Sequence, residues 1–166
     1  GSLASVVSRL QTSVKLLATN ADAAGFDSFD AQLPAAATYD ALPPADDAIA
    51  QILYTSGTTG RPKGCVLTHR AVCMAGMTAA LALSMQRDER TLMAMPLWHS
   101  SPLNNWMLGT LYVGGTVILL REYHPLHFLQ TAQDERATLY FGAPVSYLLP
   151  LQMKIDVTAF DLGSVR

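Results

Sequence analysis

From Ile49 onward, short apolar runs alternate with longer segments of helical spacing, and that alternation restricts the chain to one broad architecture. The runs Ile49–Tyr54, Arg90–Met95, Thr116–Leu120 and Ala137–Phe141 read as strands. Between and after them, His69–Gln86, Leu103–Tyr112, Pro125–Glu135 and Val145–Met153 read as helices. The strands are nearly continuous apolar runs, the pattern of strands covered on both sides. The expected fold is therefore α/β, a parallel sheet of βα repeats with helices on both faces. In such sheets ligands bind beyond the carboxyl ends of the strands. The segments Thr55–Gly64, Pro96–Pro102, Arg121–His124 and Gly142–Pro144 each follow a strand and are expected to collect on that edge.

Upstream, Leu3–Leu10 has helical spacing and Val14–Ala18 reads as a short strand. From Asn20 to Asp47 the composition shifts to Ala, Asp and Pro, which marks a surface connection with one helical turn near Phe26–Leu33. The division is thus residues 1–47, a leading helix, strand and connection, and residues 48–166, the βα core. With 166 residues, half of them hydrophobic, the chain can bury a sizeable core. A net charge of −2 and the lack of a basic stripe exclude a nucleic-acid footprint. Cys65 and Cys73 match neither a redox nor a zinc spacing, so both are expected as reduced thiols in a cytoplasmic protein, with Cys65 in the core. The apolar stretch Ala71–Met85 is too short to span a membrane. No secretory signal is read at the start, and Gly1-Ser2 reads as a cloning remnant.

Tyr54-Thr55-Ser56-Gly57-Thr58-Thr59-Gly60-Arg61-Pro62-Lys63-Gly64 carries the most chemistry. Glycines let a backbone turn its N–H groups inward around an anion, hydroxyls donate to phosphate oxygens, and a lysine supplies a point charge. Pro62 fixes its own φ and biases Arg61 toward extended geometry. A flexible polar connection would not need this order of residues, and phosphate binding is the reading it supports. It is not a GxxxxGK[ST] loop, because Lys63 is followed by Gly64.

Ile52 to Gly64, followed by Leu67-Thr68-His69-Arg70, resembles the signature phosphate loop of the adenylate-forming enzymes. That superfamily includes acyl-CoA synthetases, adenylation domains of peptide synthetases, and luciferases. The resemblance implies attack of a carboxylate on the ATP α-phosphate to give acyl-AMP and pyrophosphate, then transfer to CoA, with Mg2+ bridging phosphates. It implies that Ser56, Thr58, Thr59 and Lys63 hold the β- and γ-phosphates, and that Thr55, Gly57 and Gly60 complete the cradle.

Met95-Pro96-Leu97-Trp98-His99-Ser100-Ser101 is similar to the family's second signature. By that resemblance His99 lies near the substrate carboxyl and the α-phosphate as the candidate catalytic residue, with Trp98 as gate and Ser101 lining the acid site. Phe141-Gly142-Ala143-Pro144 is similar to an aromatic-Gly-x-Pro turn at the acyl pocket, which brings in Gly142; a plain strand-ending turn is an equal reading. Relatives place a basic residue for CoA after the strand Gly115–Leu120. Here Glu122 stands there, which shifts the CoA assignment onto Arg121. Amino-acid-activating members carry an Asp beside the aromatic turn to pair the substrate ammonium. From Trp98 to Met107 no acidic residue occurs, and a buried unpaired ammonium is costly. The expected substrate is a fatty or aryl carboxylic acid. His124 and His127 flank a helix start and are read as solvated, so no metal site is assigned.

The resemblance also implies an adenine loop, a metal-binding Glu and a small C-terminal domain with a catalytic Lys, none of which these residues contain. The chain is therefore expected to be an internal piece of a larger fatty-acid- or aryl-acid-activating ligase. It is expected to be inactive alone, and to self-associate through an open strand edge. The alternatives are a peptide-synthetase adenylation domain or acyl-AMP ligase, and a non-catalytic nucleotide-binding module.

Overall fold

In the computed structural model, residues 17–18, 27–32, 42–57 and 60–166 are described, and the chain divides into two compact units, residues 1–43 and 44–166. In the first unit, β1 (Leu17–Ala18) pairs in parallel with β2 (Asp27–Ser28). A single helical turn α1 (Phe29–Gln32) follows, with Ser28 Oγ accepting from the Ala31 N–H at 3.3 Å. The expected turn near Phe26–Leu33 is thus present. The expected helix over Leu3–Leu10, the strand residues Val14–Leu16 and most of the connection lie outside the described residues, as do Thr58 and Thr59.

The second unit opens with β3 (Ile49–Thr55) and β4 (Lys63–Thr68), then α2 (His69–Ala82). β5 (Arg90–Met93) leads to a π-helix (Ser101–Met107) that runs on into α3 (Leu108–Tyr112). β6 (Thr116–Leu119), α4 (Pro125–Asp134), β7 (Leu139–Phe141) and α5 (Pro144–Gln152) complete it, with a last 3-10 turn at Val157–Ala159. Strands β6, β5 and β7 form a parallel sheet with β5 in the middle.

Alternation along β5 places a helical layer on each side of that sheet. Leu92 packs with Phe128, Ala132 and Ala137 on the α4 side. Its neighbour Thr91 instead meets Thr110 of α3, hydroxyl to hydroxyl at 2.7 Å. Leu139 of β7 packs with Ala80 and Met85 from α2 and the turn after it, with Trp106 of the π-helix alongside. The sequence-based expectation of a parallel sheet covered on both faces holds for these three strands.

It does not hold for Ile49–Thr55. Lys63-Gly64, expected as the end of a loop, and Thr68, expected at a helix start, belong to a strand, Lys63–Thr68, that pairs antiparallel with β3 from Thr55↔Lys63 to Ile49↔Thr68. The candidate phosphate loop is therefore the tip of a separate two-stranded hairpin, Ser56–Pro62. Only the other three candidate loops follow strands of the parallel sheet. The cause is cross-strand packing: a Cβ on Gly64 would lie 2.9 Å from Ile52 Cγ2 and 3.4 Å from the Tyr54 ring, so glycine is what lets those side chains cross over β4. Cys65, expected in the core, pairs with Leu53 on this hairpin and is exposed.

Helix ends also differ from expectation. α2 stops at Ala82 rather than Gln86 because Ser84 takes a left-handed conformation (φ 49°). The Ser84 N–H then reaches Leu81 O at 3.1 Å and the Met85 N–H reaches Ala80 O at 2.9 Å, the double closure of a Schellman end. The same device, with Arg136 (φ 47°) and Lys154 (φ 53°), ends α4 and α5, whereas α3 uses Gly114. L-residues are disfavoured there by Cβ–carbonyl crowding. Ser84→Gly, Arg136→Gly and Lys154→Gly are each expected to stabilise the fold by about 0.5 kcal/mol, after the extra unfolded-state freedom of glycine is subtracted. A melting curve of the triple variant checks the sum; a lower melting temperature would oppose it.

Candidate active site

The hairpin tip is held open at a defined width. Thr55 and Lys63 face each other as the last pair of β3 and β4, so the hydroxyl and the ammonium sit on the two rims of the loop. Gly57 (φ 65°) and Gly60 (φ 77°) both take left-handed backbone, and the Gly60 N–H approaches Gly57 O at 3.4 Å. A Cβ on Gly57 would stand 2.4 Å from Arg61 O, so the turn closes only with glycine there. Such reversals of backbone hand make an anion-binding concavity. Gly57→Ala is expected to weaken binding of a phosphate-bearing ligand about ten-fold with little loss of melting temperature, because the clash with Arg61 O lies in the loop and not in the core. Unchanged phosphate binding would remove the loop from any anion site.

Thr68 closes the hairpin and starts α2, its Oγ1 accepting from the Ala71 N–H at 3.3 Å. The first amides of α2 are already taken: His69 N–H by Ala48 O and Arg70 N–H by Asp46 O. The helix start therefore offers an anion none of these three amides.

The second signature lies beyond the carboxyl end of β5. The His99 N–H bonds Pro96 O at 3.3 Å, which folds Trp98 and His99 onto the outside of a turn, ring centroids 6.3 Å apart. Trp98 is 71% exposed. It shares a groove of about 450 Å³ with Leu119, Leu120 and Arg121 from the end of β6. The structure thus brings Trp98 and Arg121 to one cleft. Ser101 opens the π-helix next to them and is exposed.

Gly142 follows β7, where a Cβ would lie 2.7 Å from Ser146 Cβ; only glycine lets α5 start this close to the strand. Phe141 stacks on Trp106 at 4.5 Å and 15°, which ties the Gly142 turn to the π-helix. On the opposite face of β7, burial raises the Tyr140 phenol above its ordinary pKa, and neighbouring Tyr147 and Tyr123 add to this. Among the described residues no hydrogen bond or ion pair joins the hairpin tip to the Trp98–His99 turn.

Sequence reasoning missed the π-helix and what it carries. Leu108 N–H reaches back to Leu103 O, five residues away, and Thr110 donates to Trp106 O at 2.7 Å. Since Thr110 uses its proton there, Thr91 must donate in the buried threonine pair. π-helical segments are rare and frequently occur at functional positions. Asn104, 1% exposed, sits inside this one, and Asn105 and Trp106 wall a groove of about 530 Å³ against Ala71, Ala75 and Thr78 of α2. The small-residue stripe on α2 was the available sequence signal.

The pattern of one family, described as AMP-binding enzyme, matches residues 3–166. The chain belongs to that family. The chain is 42% identical over 106 residues to a feruloyl-CoA synthase of Amycolatopsis, covering 64% of the chain and 22% of that protein. It is 35% identical over 147 residues to a Mycobacterium tuberculosis CoA ligase for a methyl-dioxo-octahydroindenyl propanoyl substrate, covering 87% of the chain and 27% of that protein. Among solved structures it resembles the amide bond synthetase McbA of Marinactinospora thermotolerans (TM-score 0.76, 29% identity, 98% of this chain and 31% of that one). It also resembles ATP-bound MatB of Rhodopseudomonas palustris (TM-score 0.67, 30% identity, 78% of this chain and 25% of that one). The chain therefore spans about a quarter of the length of the relatives it matches.

Among the described residues no three His, Cys, Asp or Glu side chains gather as a metal cage, and no helix is long and apolar enough to cross a membrane.

Proposed function

We propose that the intact protein is an ATP-dependent acid–thiol ligase of the cytoplasm that activates a fatty or aryl carboxylic acid as acyl-AMP and transfers it to CoA. The observation that carries this is the hairpin tip, with two left-handed glycines between the Thr55 and Lys63 rims. In this reading Thr55, Ser56, Gly57, Thr58, Thr59, Gly60 and Lys63 hold the β- and γ-phosphates and follow them out as pyrophosphate. His99 orients the acid carboxylate for attack on the α-phosphate, and Trp98, Ser101 and Gly142 bound the acid pocket. Adenylation of this kind needs alignment and charge stabilisation rather than a protein nucleophile. Arg121 meets CoA, and its shared groove with Trp98 supports a thiol arriving beside the acid gate.

Similarity to the feruloyl-CoA synthase weighs toward the aryl class. The absence of an acidic residue from Trp98 to Met107 weighs against an α-amino acid, hence against a peptide-synthetase domain. A second acceptor, an amine, is favoured by the near-complete coverage of this chain by the amide bond synthetase. The 166 residues alone are proposed to form no acyl-AMP.

Carboxylate-dependent ATP–pyrophosphate exchange on the intact protein, across fatty, aryl and amino acids, tests the reading; product analysis with CoA and with amines then assigns the acceptor. Exchange with an amino acid alone would overturn the substrate class, and no exchange with any acid would leave a nucleotide-binding module.

A further inference from the structure

On the α4–α5 side of β7 lies a groove of about 230 Å³ that shares no lining residue with the grooves at Trp98 and Trp106. Four aromatic rings run round it in succession: Tyr123 to Phe128 at 5.3 Å, Phe128 edge-on to Tyr140 at 5.2 Å, and Tyr140 to Tyr147 at 5.4 Å. Apart from Ser146 the other lining residues are apolar, and none is charged. Pro150, inside α5, sets the polar character of the groove. Having no N–H, it leaves the Ser146 carbonyl, four residues back, without its helical donor. The Tyr123 hydroxyl takes that place, donating to Ser146 O at 2.6 Å. With its proton committed, Tyr123 Oη is left only to accept. The Tyr140 hydroxyl makes no hydrogen bond among the described residues. Burial, then the nearby Tyr147 and Tyr123 phenols, raise its pKa, so it stays protonated and able to donate.

We propose that this groove binds a small uncharged phenol, its ring between the aromatic walls and its hydroxyl donating to Tyr123 Oη and accepting from Tyr140. The space fits one ring, since an apolar cavity of about 150 Å³ is enough for benzene. The walls suit edge-on and offset contacts with that ring. One acceptor and one donor side by side match a hydroxyl, which both gives and takes a hydrogen bond. A carboxylate or an ammonium is excluded, because no counter-charge lines the groove and burying an unpaired charge is costly. The site takes its ligand whether or not the protein adenylates an acid.

The test is a fluorine NMR titration of the intact protein with para-fluorophenol, fluorobenzene and para-fluorobenzoate, repeated on Tyr140→Phe and Leu151→Trp. Tyr140→Phe keeps the ring and removes only a hydroxyl without a partner in the fold, and Leu151 stands exposed on the rim. Both variants are therefore expected to fold, which a melting curve checks. The wild type is expected to bind para-fluorophenol with a Kd of roughly 1 mM. Fluorobenzene is expected to bind about ten-fold more weakly, the worth of a hydrogen bond made out of water. Tyr140→Phe is expected to bring the phenol down to the affinity of fluorobenzene. Leu151→Trp, which fills the mouth of the groove with an indole, is expected to weaken both about ten-fold or more. Any binding of para-fluorobenzoate is expected to be the same in all three proteins. Equal affinity for the phenol and fluorobenzene, phenol binding unmoved by either variant, benzoate binding weakened by Leu151→Trp, or no saturable phenol binding to the wild type would each overturn the site.

Discussion

Lys63→Ala in the intact protein is expected, on the proposed adenylation, to lower carboxylate-dependent pyrophosphate exchange by about 10²-fold, the usual cost of removing one preorganised electrostatic contact from a transition state. Lys63 is the first residue of β4, exposed, and locked in register opposite Thr55. Among the described residues no carboxylate pairs with it, so its charge is available to a ligand. Because no folded contact is lost, the melting temperature is expected to stay within a degree or two. Lys63→Arg separates charge from shape: arginine keeps the cation but replaces a compact ammonium with a planar fork, and partial activity is the expected result. Exchange by Lys63→Ala within three-fold of wild type would exclude the hairpin tip from the reaction.

The second large effect lies at the far end of the sheet, in stability. Glu89 precedes β5, is 2% exposed, and accepts from the Thr138 hydroxyl, the Arg166 guanidinium and, at 3.3 Å, the Gln86 N–H. Arg166 meanwhile donates to Leu83 O and Ser84 O, so one carboxylate ties the end of α2, the entry to β7 and Arg166 together. Burial pushes the Glu89 carboxyl upward, but the bonds from Thr138, Arg166 and Gln86 outweigh it and hold the carboxyl below its ordinary value of 4.5. A carboxyl lowered by folding contributes stability above the unfolded value, and that contribution is lost as pH falls through the folded one. Glu89→Ala is expected to cost about 2 kcal/mol at neutral pH. This is less than a fully buried pair would cost, because the Arg166 side chain is 45% exposed. Glu89→Gln is expected to cost about half as much and to lose the acid-dependent component below pH 4.5. Thermal melts of the three proteins from pH 3 to 7 check both statements; parallel curves for wild type and Glu89→Gln would place the acid sensitivity elsewhere.

The parallel sheet was legible because its strands are dominated by burial: Leu92 and Met93 are fully covered, and an apolar run has few alternatives there. The βα order put Trp98, Arg121 and Gly142 after strand ends, and the groove shared by Trp98 and Arg121 follows from that placement. The hairpin was not legible, because Lys63-Gly64 has poor strand propensity and only pairing with Thr55 and Tyr54 makes a strand of it. The early end of α2 was hidden for a related reason, since Ser84 rather than a glycine takes the left-handed position. The π turn has no local sequence code; what surrounds it, such as the Thr91–Thr110 hydroxyl pair between β5 and α3, is tertiary.

The stacking of Trp106 on Phe141 has an optical consequence. These 166 residues contain two tryptophans, and the fold gives them opposite surroundings. Trp98 is open to water, so its emission is red-shifted and accessible to iodide. Trp106 is half-buried and lies face to face with the Phe141 ring, so its emission is expected to be bluer and less open to quencher than that of Trp98. A compound that covers the Trp98 groove protects one fluorophore, and a compound that parts the π-helix from β7 exposes the other. The chain carries its own two-colour report of which side of the pocket a molecule has entered.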